Sequence, residues 1–340
     1  MTCEKDAKMS VENFTSGTGF ILLGLTHQRK EQILLFMVFL IIYLLTVLGN
    51  LLIIILVRID AQLRTPMYFF LSHLAGLEIV YVTGSLPQTL AFLLDGNRVL
   101  SSTRCILQGS TGLSTGSTEC LLLGVMAYDR YLAICKPLKY ASAMDKTHQL
   151  LLATSCWTIG FLFSVVYVAF LFHHPFCGLN YINHFICELP VVLKLACDDT
   201  KLTEAILYGL SAFIVLVPFS VILCSYSCIL YSIFQMQSAA GWHKAFSTCG
   251  SHLTVVTLFY GTVISMYIIP QSNSFPDRDK QIAVLYVAVT PLLNPIIYTL
   301  RNRDVHRAVG KLLRRKSFKR NDKHPSLVEL VCIYLKSCSL

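Results

Sequence analysis

Seven apolar runs, at about 33–57, 67–94, 105–128, 150–172, 205–234, 250–269 and 281–300, divide this 340-residue chain and decide what it can fold into. Each reaches the roughly 20 residues that a helix rising about 1.5 Å per residue needs to cross a hydrocarbon layer about 30 Å thick. Inside lipid every backbone N–H and C=O must be satisfied within the segment, so the runs are expected to be helices. The charge content agrees, since only 14% of the residues are Asp, Glu, Lys or Arg, against about 25% in ordinary soluble domains. The expected fold class is an all-α membrane protein: a seven-transmembrane helix bundle over 33–302, with an N-terminal segment 1–32 and a tail 303–340.

The basic residues orient the bundle. Mixed residues including Glu4, Lys5, Asp6, Glu12, Arg29 and Lys30 precede the first run, so no cleavable signal peptide is read at the extreme N-terminus. With the N-terminus outside, the inner connections and the tail hold 18 of the 28 Lys and Arg, among them Arg58, Arg64, Lys136, Lys139, Lys146 and Lys244. Basic residues near helix ends favour the inner side, so an extracellular N-terminus and a cytoplasmic C-terminus are expected. The net charge of +9 is then a topology signal, and no nucleic-acid partner is expected. After the seventh run, "DVHRAVGKLLRRKSFK" places Val305, Ala308, Val309, Leu312 and Leu313 at near-helical spacing with bases between them. It reads as a short amphipathic helix, about 303–316, lying on the anionic inner leaflet; the alternative is a solvated basic tail.

Prolines punctuate the runs. Pro66 opens the second, where proline is tolerated, whereas Pro87, Pro218, Pro291 and Pro295 fall inside runs and are expected to kink or unwind them. Asn294 between the last two suggests a joint.

Of thirteen cysteines, Cys3, Cys105, Cys177, Cys187 and Cys197 fall on the oxidising side of this topology. A Cys105–Cys187 bridge would pin the long outer segment 173–204 over the mouth of the bundle, and Cys177 with Cys197 could close a second ring; the residues alone leave the pairing open. Asn13-Phe14-Thr15 is a glycosylation acceptor on the same side. Glu78 and Glu119 are the two carboxylates deep in apolar runs. An acid at that depth is costly and usually faces the bundle interior. Two together, beside Ser or Asn oxygens, suit a hard cation such as sodium; the alternative is a protonated carboxyl bonded to a neighbouring helix. His73, Ser251 and His252 are scattered singly, with no His-Glu-x-x-His pattern and no Gly-x-Ser-x-Gly elbow, so an enzyme is not expected.

The stretch "MAYDRYLAIC", 126–135, ends the third run on Asp129, Arg130 and Tyr131 at the inner face. Further strings join it: "GN" at 49–50, "PMYFFLSHL" at 66–74, "KPLKY" after Cys135, "SY" at 225–226, "KAFSTCGSHLTVV" at 244–256, "FYGT" at 259–262 and "PLLNPIIYTLRN" at 291–302. Together they resemble the olfactory (odorant) receptors, a family of rhodopsin-like G-protein-coupled receptors, over roughly 13–316 and in that family's order. The outer strings "HFICE" at 184–188 and "LKLAC" at 193–197 match too, which implies Cys105–Cys187 and Cys177–Cys197 bridges.

The resemblance implies a multi-pass plasma-membrane receptor without a cofactor, apart from sodium as a candidate modulator at Glu78 and Glu119. Its partners would be a small volatile odorant, membrane lipids and a heterotrimeric G protein of the stimulatory olfactory type, with cyclic AMP as the output. Asp129, Arg130, Tyr131, Tyr226, Lys244, Asn294, Pro295 and Tyr298 would form the activation switch. Arg130 would be held by Asp129 at rest and released to the G protein as the sixth helix swings outward. An exposed Asp–Arg pair is worth only about 0–1 kcal/mol, which suits a switch. The ligand set implied is Gly112, Leu113, Gly116 and Ser117 in the third helix, Ser211, Ile214 and Val215 in the fifth, Tyr260, Val263, Ile264 and Tyr267 in the sixth, and Val284 and Val287 in the seventh. That lining is apolar with a few hydroxyls, as a small volatile requires. The sequence places no carboxylate in this outer shell, which disfavours a charged amine. Two rival readings are a receptor for a non-odorant metabolite, separable by ligand and tissue, and a transporter or channel, separable by currents or uptake.

Overall fold

The computed structural model describes residues 19–96, 98–176, 181–235, 239–267, 278–300, 305 and 307–311, without the side chains at 239–248, 267 and 299–300. Seven long helical segments form an antiparallel bundle. They are Arg29–Ile59, Pro66–Asp95, Ser102–Cys135, Lys146–Leu171, Lys201–Phe234, Ala239–Tyr267 and a seventh built from Arg278–Val284, a π-helical turn Leu285–Val289, and Thr290–Leu300. We call them the first to seventh spans. Most extend beyond their apolar runs, because hydropathy marks only the lipid-crossing part while caps set the ends. Pro66 sits in the first turn of the second span, and Gly96 closes it at φ 71°, its N–H returning to the Phe92 carbonyl. The Asp145 side chain caps the fourth span by accepting from the His148 N–H at 2.8 Å.

Six of the seven are apolar enough to cross a membrane by composition alone; the third is not among them. Its outer half, "STRCILQGSTGLSTGSTE", is rich in hydroxyls and glycine, because this helix touches protein rather than lipid on most sides. The hydroxyls are satisfied along the helix: Thr115 donates to the Thr111 carbonyl at 2.7 Å, Ser117 to Leu113 at 2.7 Å and Thr118 to Ser114 at 2.8 Å. Small residues let neighbours close in. A Cβ on Gly160 of the fourth span would lie 2.1 Å from Thr118 Oγ1 and 2.8 Å from the Ser114 carbonyl oxygen, and one on Gly124 would lie 3.1 Å from Pro218 of the fifth. Ser164 adds a bond to the Ser110 carbonyl at 2.9 Å.

The all-α bundle also carries one small sheet. Residues Gly19–Leu22 (β1), Val99–Ser101 (β2) and Tyr181–Ile182 (β3) form a sheet in the order β2-β1-β3 at the outer end of the bundle. β1 pairs antiparallel with β2, Phe20 opposite Leu100, and parallel with β3, Leu22 opposite Ile182. Phe20, Leu22, Leu100 and Ile182 are buried together against the loop and the fourth span, and that burial holds so short a sheet in place. Arg98 fastens the leading segment by donating to the Leu23 carbonyl at 2.6 Å and the Thr26 carbonyl at 2.8 Å.

The prolines behave unevenly. Pro87 and Pro218 lie inside continuous helices. In the seventh span the irregularity is the π-turn just ahead of Pro291, where the Thr290 N–H reaches back to the Leu285 carbonyl. Pro291 has no N–H to continue the regular ladder, which favours the wider turn.

Candidate functional site

At the inner end the third span carries Asp129 and Arg130 side by side. Arg130 Nη2 lies 3.6 Å from Asp129 Oδ2, and the Asp129 side chain is fully buried while that of Arg130 keeps 11% exposure. The pair is therefore not the exposed one expected from sequence. Its Oδ1 accepts a hydrogen bond from the Tyr140 hydroxyl at 2.9 Å, supplied by the short helix Pro137–Ala143. Proline in the first turn starts that helix directly after the third span ends, which turns Tyr140 back toward the acid. The Asp129 charge, enclosed with its Coulomb and hydrogen-bond partners, also draws on Tyr140 itself: burial first, and Asp129 second, push that phenol above its usual range.

Beside this pair, Tyr226 of the fifth span bonds His252 Nδ1 of the sixth at 2.7 Å, with both rings buried and nearly stacked. Arg130 lies within electrostatic reach of Cys249, His252 and Tyr298. Tyr298 is 1% exposed and its hydroxyl has no hydrogen-bond partner among the described residues. Tyr131 packs on the same core and stacks against Tyr128 at 6.2 Å. Pro295 meets Gly49 of the first span, whose absent Cβ would lie 3.2 Å away. Lys244 falls on the sixth helix, but its side chain is outside the described residues.

Midway through the bundle, Asn294 Nδ2 donates to Glu78 Oε1. Glu119 lies within electrostatic reach of Glu78 and hydrogen-bonding reach of Asn294. Glu119 Oε1 and Asn294 Oδ1 are buried acceptors with no hydrogen-bond partner among the described residues. Orphaned acceptors facing two carboxyls call for a proton or a cation. No cluster of three or more His, Cys, Asp or Glu suited to a metal ion occurs among the described residues.

At the outer end Cys105 and Cys187 form a disulfide, their Cα atoms 5.2 Å apart. The Cys187 N–H donates to Gln108 Oε1 at 2.7 Å, and Gln108 Nε2 reaches the Gly84 carbonyl of the second span at 3.4 Å. The short helix Leu189–Leu193 then rests on Gly109, where a Cβ would meet Leu189 Cδ2 at 2.8 Å. Cys197 is also disulfide-bonded. Phe176 pairs with Ala196 and the Cys197 N–H donates to the Pro175 carbonyl at 3.0 Å, which brings Cys197 beside the strand leading to Cys177; Cys177 itself lies outside the described residues. Asn13 does too.

Below this lid the residues expected to line a ligand chamber converge unevenly. A Cβ on Gly116 would have no heavy atom within 4 Å, whereas one on Gly112 would touch Tyr81 at 3.5 Å. Leu113 and Ile214 pack against the apolar cluster that holds Leu189 and Leu207, Val215 and Val263 against the one that holds Tyr260, and Val284 and Val287 belong with Phe185 and Ile186 of the loop to a third. The Tyr260 ring lies 4.8 Å from that of Phe219, tilted by 36°. Ser211 is partly buried, Ile264 is 38% exposed, and the Tyr267 side chain is outside the described residues. A cavity of about 20 Å³ lies between Gln32, Thr89, Arg98 and Phe185, and none of the expected ligand residues lines it.

A family profile described as "Olfactory receptor" matches residues 39–316. The chain is 48% identical over 303 residues to human olfactory receptor 10C1, covering 89% of this chain and 97% of that one. The chain belongs to the olfactory receptor family. Mouse olfactory receptor 2C1 is 45% identical over 305 residues, covering 90% of this chain and 98% of its own length. Squid rhodopsin shares the fold at a TM-score of 0.68 and 14% identity, with 93% of each chain covered. This olfactory receptor is thus a multi-pass membrane signalling receptor of rhodopsin-like fold and not an enzyme.

Several residues of the receptor escaped the sequence reading. Tyr140 and His252 stood inside the strings "KPLKY" and "KAFSTCGSHLTVV", but nothing local pairs them with Asp129 and Tyr226. Gln108 carried no signal beyond being an amide in a spanning helix. Glu188, within the string "HFICE", likewise carried no sign of its partner: its carboxylate accepts from the Tyr286 hydroxyl of the seventh span.

Proposed function

We propose that this receptor binds a small, mostly apolar odorant in the outer half of the bundle and activates a stimulatory olfactory-type G protein, raising cyclic AMP. The observation that carries the coupling half is the buried Asp129–Arg130 pair clasped by Tyr140 at the inner face. Arg130 has five donors and never deprotonates, so it can trade Asp129 for a G-protein carbonyl without a change of charge. Tyr226, Tyr298, Asn294 and Pro295 lie on the spans that would move with it, and Lys244 and Tyr131 flank the surface exposed. Leaving a buried acid without its base costs far more than breaking an exposed pair. The pair is therefore a stronger resting lock than an exposed one, and Tyr140 is the part that can keep Asp129 satisfied once Arg130 leaves.

The binding half rests on the open space at Gly116, on the same span as Gly112, Leu113 and Ser117. The Ser117 hydroxyl already donates its proton to the Leu113 carbonyl, so it offers a ligand its lone pairs rather than its proton. A Gly116→Leu substitution fills the space without a backbone collision. It is expected to suppress responses across an odorant panel at unchanged surface level; undiminished responses would move the chamber elsewhere.

The same reading takes the N-terminus as extracellular with Asn13 glycosylated, Cys177 as the partner of Cys197, and the C-terminus as cytoplasmic. Sodium at Glu78 and Glu119 is supported by the orphaned oxygens of Glu119 and Asn294. A cation there would hold the carboxyls ionised; the residues would otherwise share protons. The tail differs from a helix lying only on lipid. Val305, Ala308 and Val309 pack into the core of the bundle, and Lys311 pairs with Asp60 at 3.1 Å and Gln62 at 2.9 Å.

A further inference from the structure

Glu188 starts above the proposed chamber and ends at the seventh span. It follows Cys187, bridged to Cys105, and precedes Leu189, which rests on Gly109. Gly109, Gly112 and Gly116 share one face of the third span at helical spacing, so the loop residue sits over the open space at Gly116. The Glu188 carboxylate crosses to the hydroxyl of Tyr286. Tyr286 belongs to the π-helical turn Leu285–Val289, next to Val287, and packs in one cluster with Tyr81, the side chain that faces Gly112. A π-turn inserts a residue into the helical repeat, rotating what precedes it by about 100°, and such turns concentrate at functional sites. Here it presents Tyr286 to the acid.

We infer that Glu188 and Tyr286 form the polar end of the ligand chamber and select odorants whose head group donates a hydrogen bond, alcohols above all, over carboxylic acids of matched skeleton. The inference rests on the chamber proposed above. A carboxylate has about four acceptor positions and Tyr286 fills one among the described residues, which leaves the group capacity to accept from a ligand. An alcohol can donate to it, whereas an ionised acid has acceptors only and no proton to give. Burial, and then the charge of Asp279, push the Glu188 carboxyl up to about 7, as an acid in an apolar wall should behave. Tyr167 on the fourth span and Asp279 on the seventh lie within its electrostatic reach, and Asp279 is itself 4.0 Å from Arg278, which also donates to the Ser265 carbonyl at 2.6 Å. A site built to pair with a donor rejects ligands lacking one more sharply than a hydrophobic wall rejects a change of shape.

The test is a concentration series in cells expressing the full chain, using matched pairs of alcohols and carboxylic acids with aliphatic, terpenoid and aromatic skeletons. Surface staining accompanies every variant. We expect alcohols to be at least about tenfold more potent than their paired acids, and that ratio to shrink at least about tenfold in Glu188→Gln and to fall in Tyr286→Phe. Acids as potent as alcohols, alcohols without effect, or a ratio unchanged in the two variants would overturn the inference. Gly116→Leu separates the two levels. If it silences the receptor while the ratio fails to move, the chamber stands and the polar end is elsewhere; if it is without effect, the chamber reading itself falls.

Discussion

The Tyr140 hydroxyl donates to Asp129 Oδ1 at 2.9 Å while Arg130 faces the other oxygen, Oδ2, at 3.6 Å, so one buried carboxylate is shared between a short inner helix and the third span. Removing the phenol should leave the acid with Arg130 alone. A hydrogen bond to a charged group is worth about 1.5–3 kcal/mol. Because Tyr140 keeps Asp129 satisfied once Arg130 leaves, Tyr140→Phe is expected to lower ligand-independent cyclic AMP per surface receptor by about tenfold. A basal level equal to wild type would show that the bond carries no weight in the switch.

Gly160 tests the packing of the third and fourth spans. An added methyl would overlap Thr118 Oγ1 and the Ser114 carbonyl. Because backbone cannot retreat as a flexible side chain can, Gly160→Ala should cost about 1–3 kcal/mol, read as a lower melting temperature in detergent and reduced surface delivery. Gly261→Ala, where a Cβ meets nothing within 4 Å, is the matched control and should be nearly neutral. Equal behaviour of the two variants would contradict the close helix contact.

The outer loop should loosen in acid. Burial, with the Lys280 charge acting in the same direction, holds the His184 imidazole down at about 4, and its Nδ1 accepts from the Ile186 N–H at 3.2 Å. A histidine kept neutral in the folded state contributes stability that is fully present above the unfolded value near 6.5 and is lost as pH falls toward 4. Glu188 acts oppositely: its carboxyl, raised to about 7, loses stabilisation as pH rises from 4.5 to 7. Thermal unfolding of purified receptor across pH 4–7 should therefore show a His184→Gln variant losing less on acidification and Glu188→Gln losing less on alkalinisation. Parallel profiles for both variants and wild type would refute the assignment.

The tail helix makes a graded prediction. Lys311 and Asp60 form an ion pair with Lys311 half exposed, and such pairs contribute about 0–1 kcal/mol. Lys311→Ala should be nearly silent, whereas Val305→Asp, which puts a charge among buried core residues, should lower surface expression severalfold. The reverse order would place the helix on lipid rather than on the bundle.

How far the sequence reached follows from where each signal lives. The apolar runs located all seven spans because lipid imposes length and hydropathy residue by residue. Those rules say nothing of the strand at Gly19–Leu22, whose partners lie about 80 and 160 positions away. The charge pair at 129–130 was visible because both members are adjacent; its burial was not, since Tyr140 and the sixth span close over it from other segments. Likewise Glu188 looked like a loop acid until the fold carried it to Tyr286. The π-turn had one local cue, Pro291, which predicts an irregularity but not its kind.

One comparison tests the central claim most directly: ligand-evoked cyclic AMP in cells co-expressing the olfactory stimulatory G protein with either the full chain or its Arg130→Ala variant, each normalised to surface receptor. A saturable response to members of a broad volatile panel is expected in the first and none in the second. A full response from Arg130→Ala at equal surface level would contradict that claim.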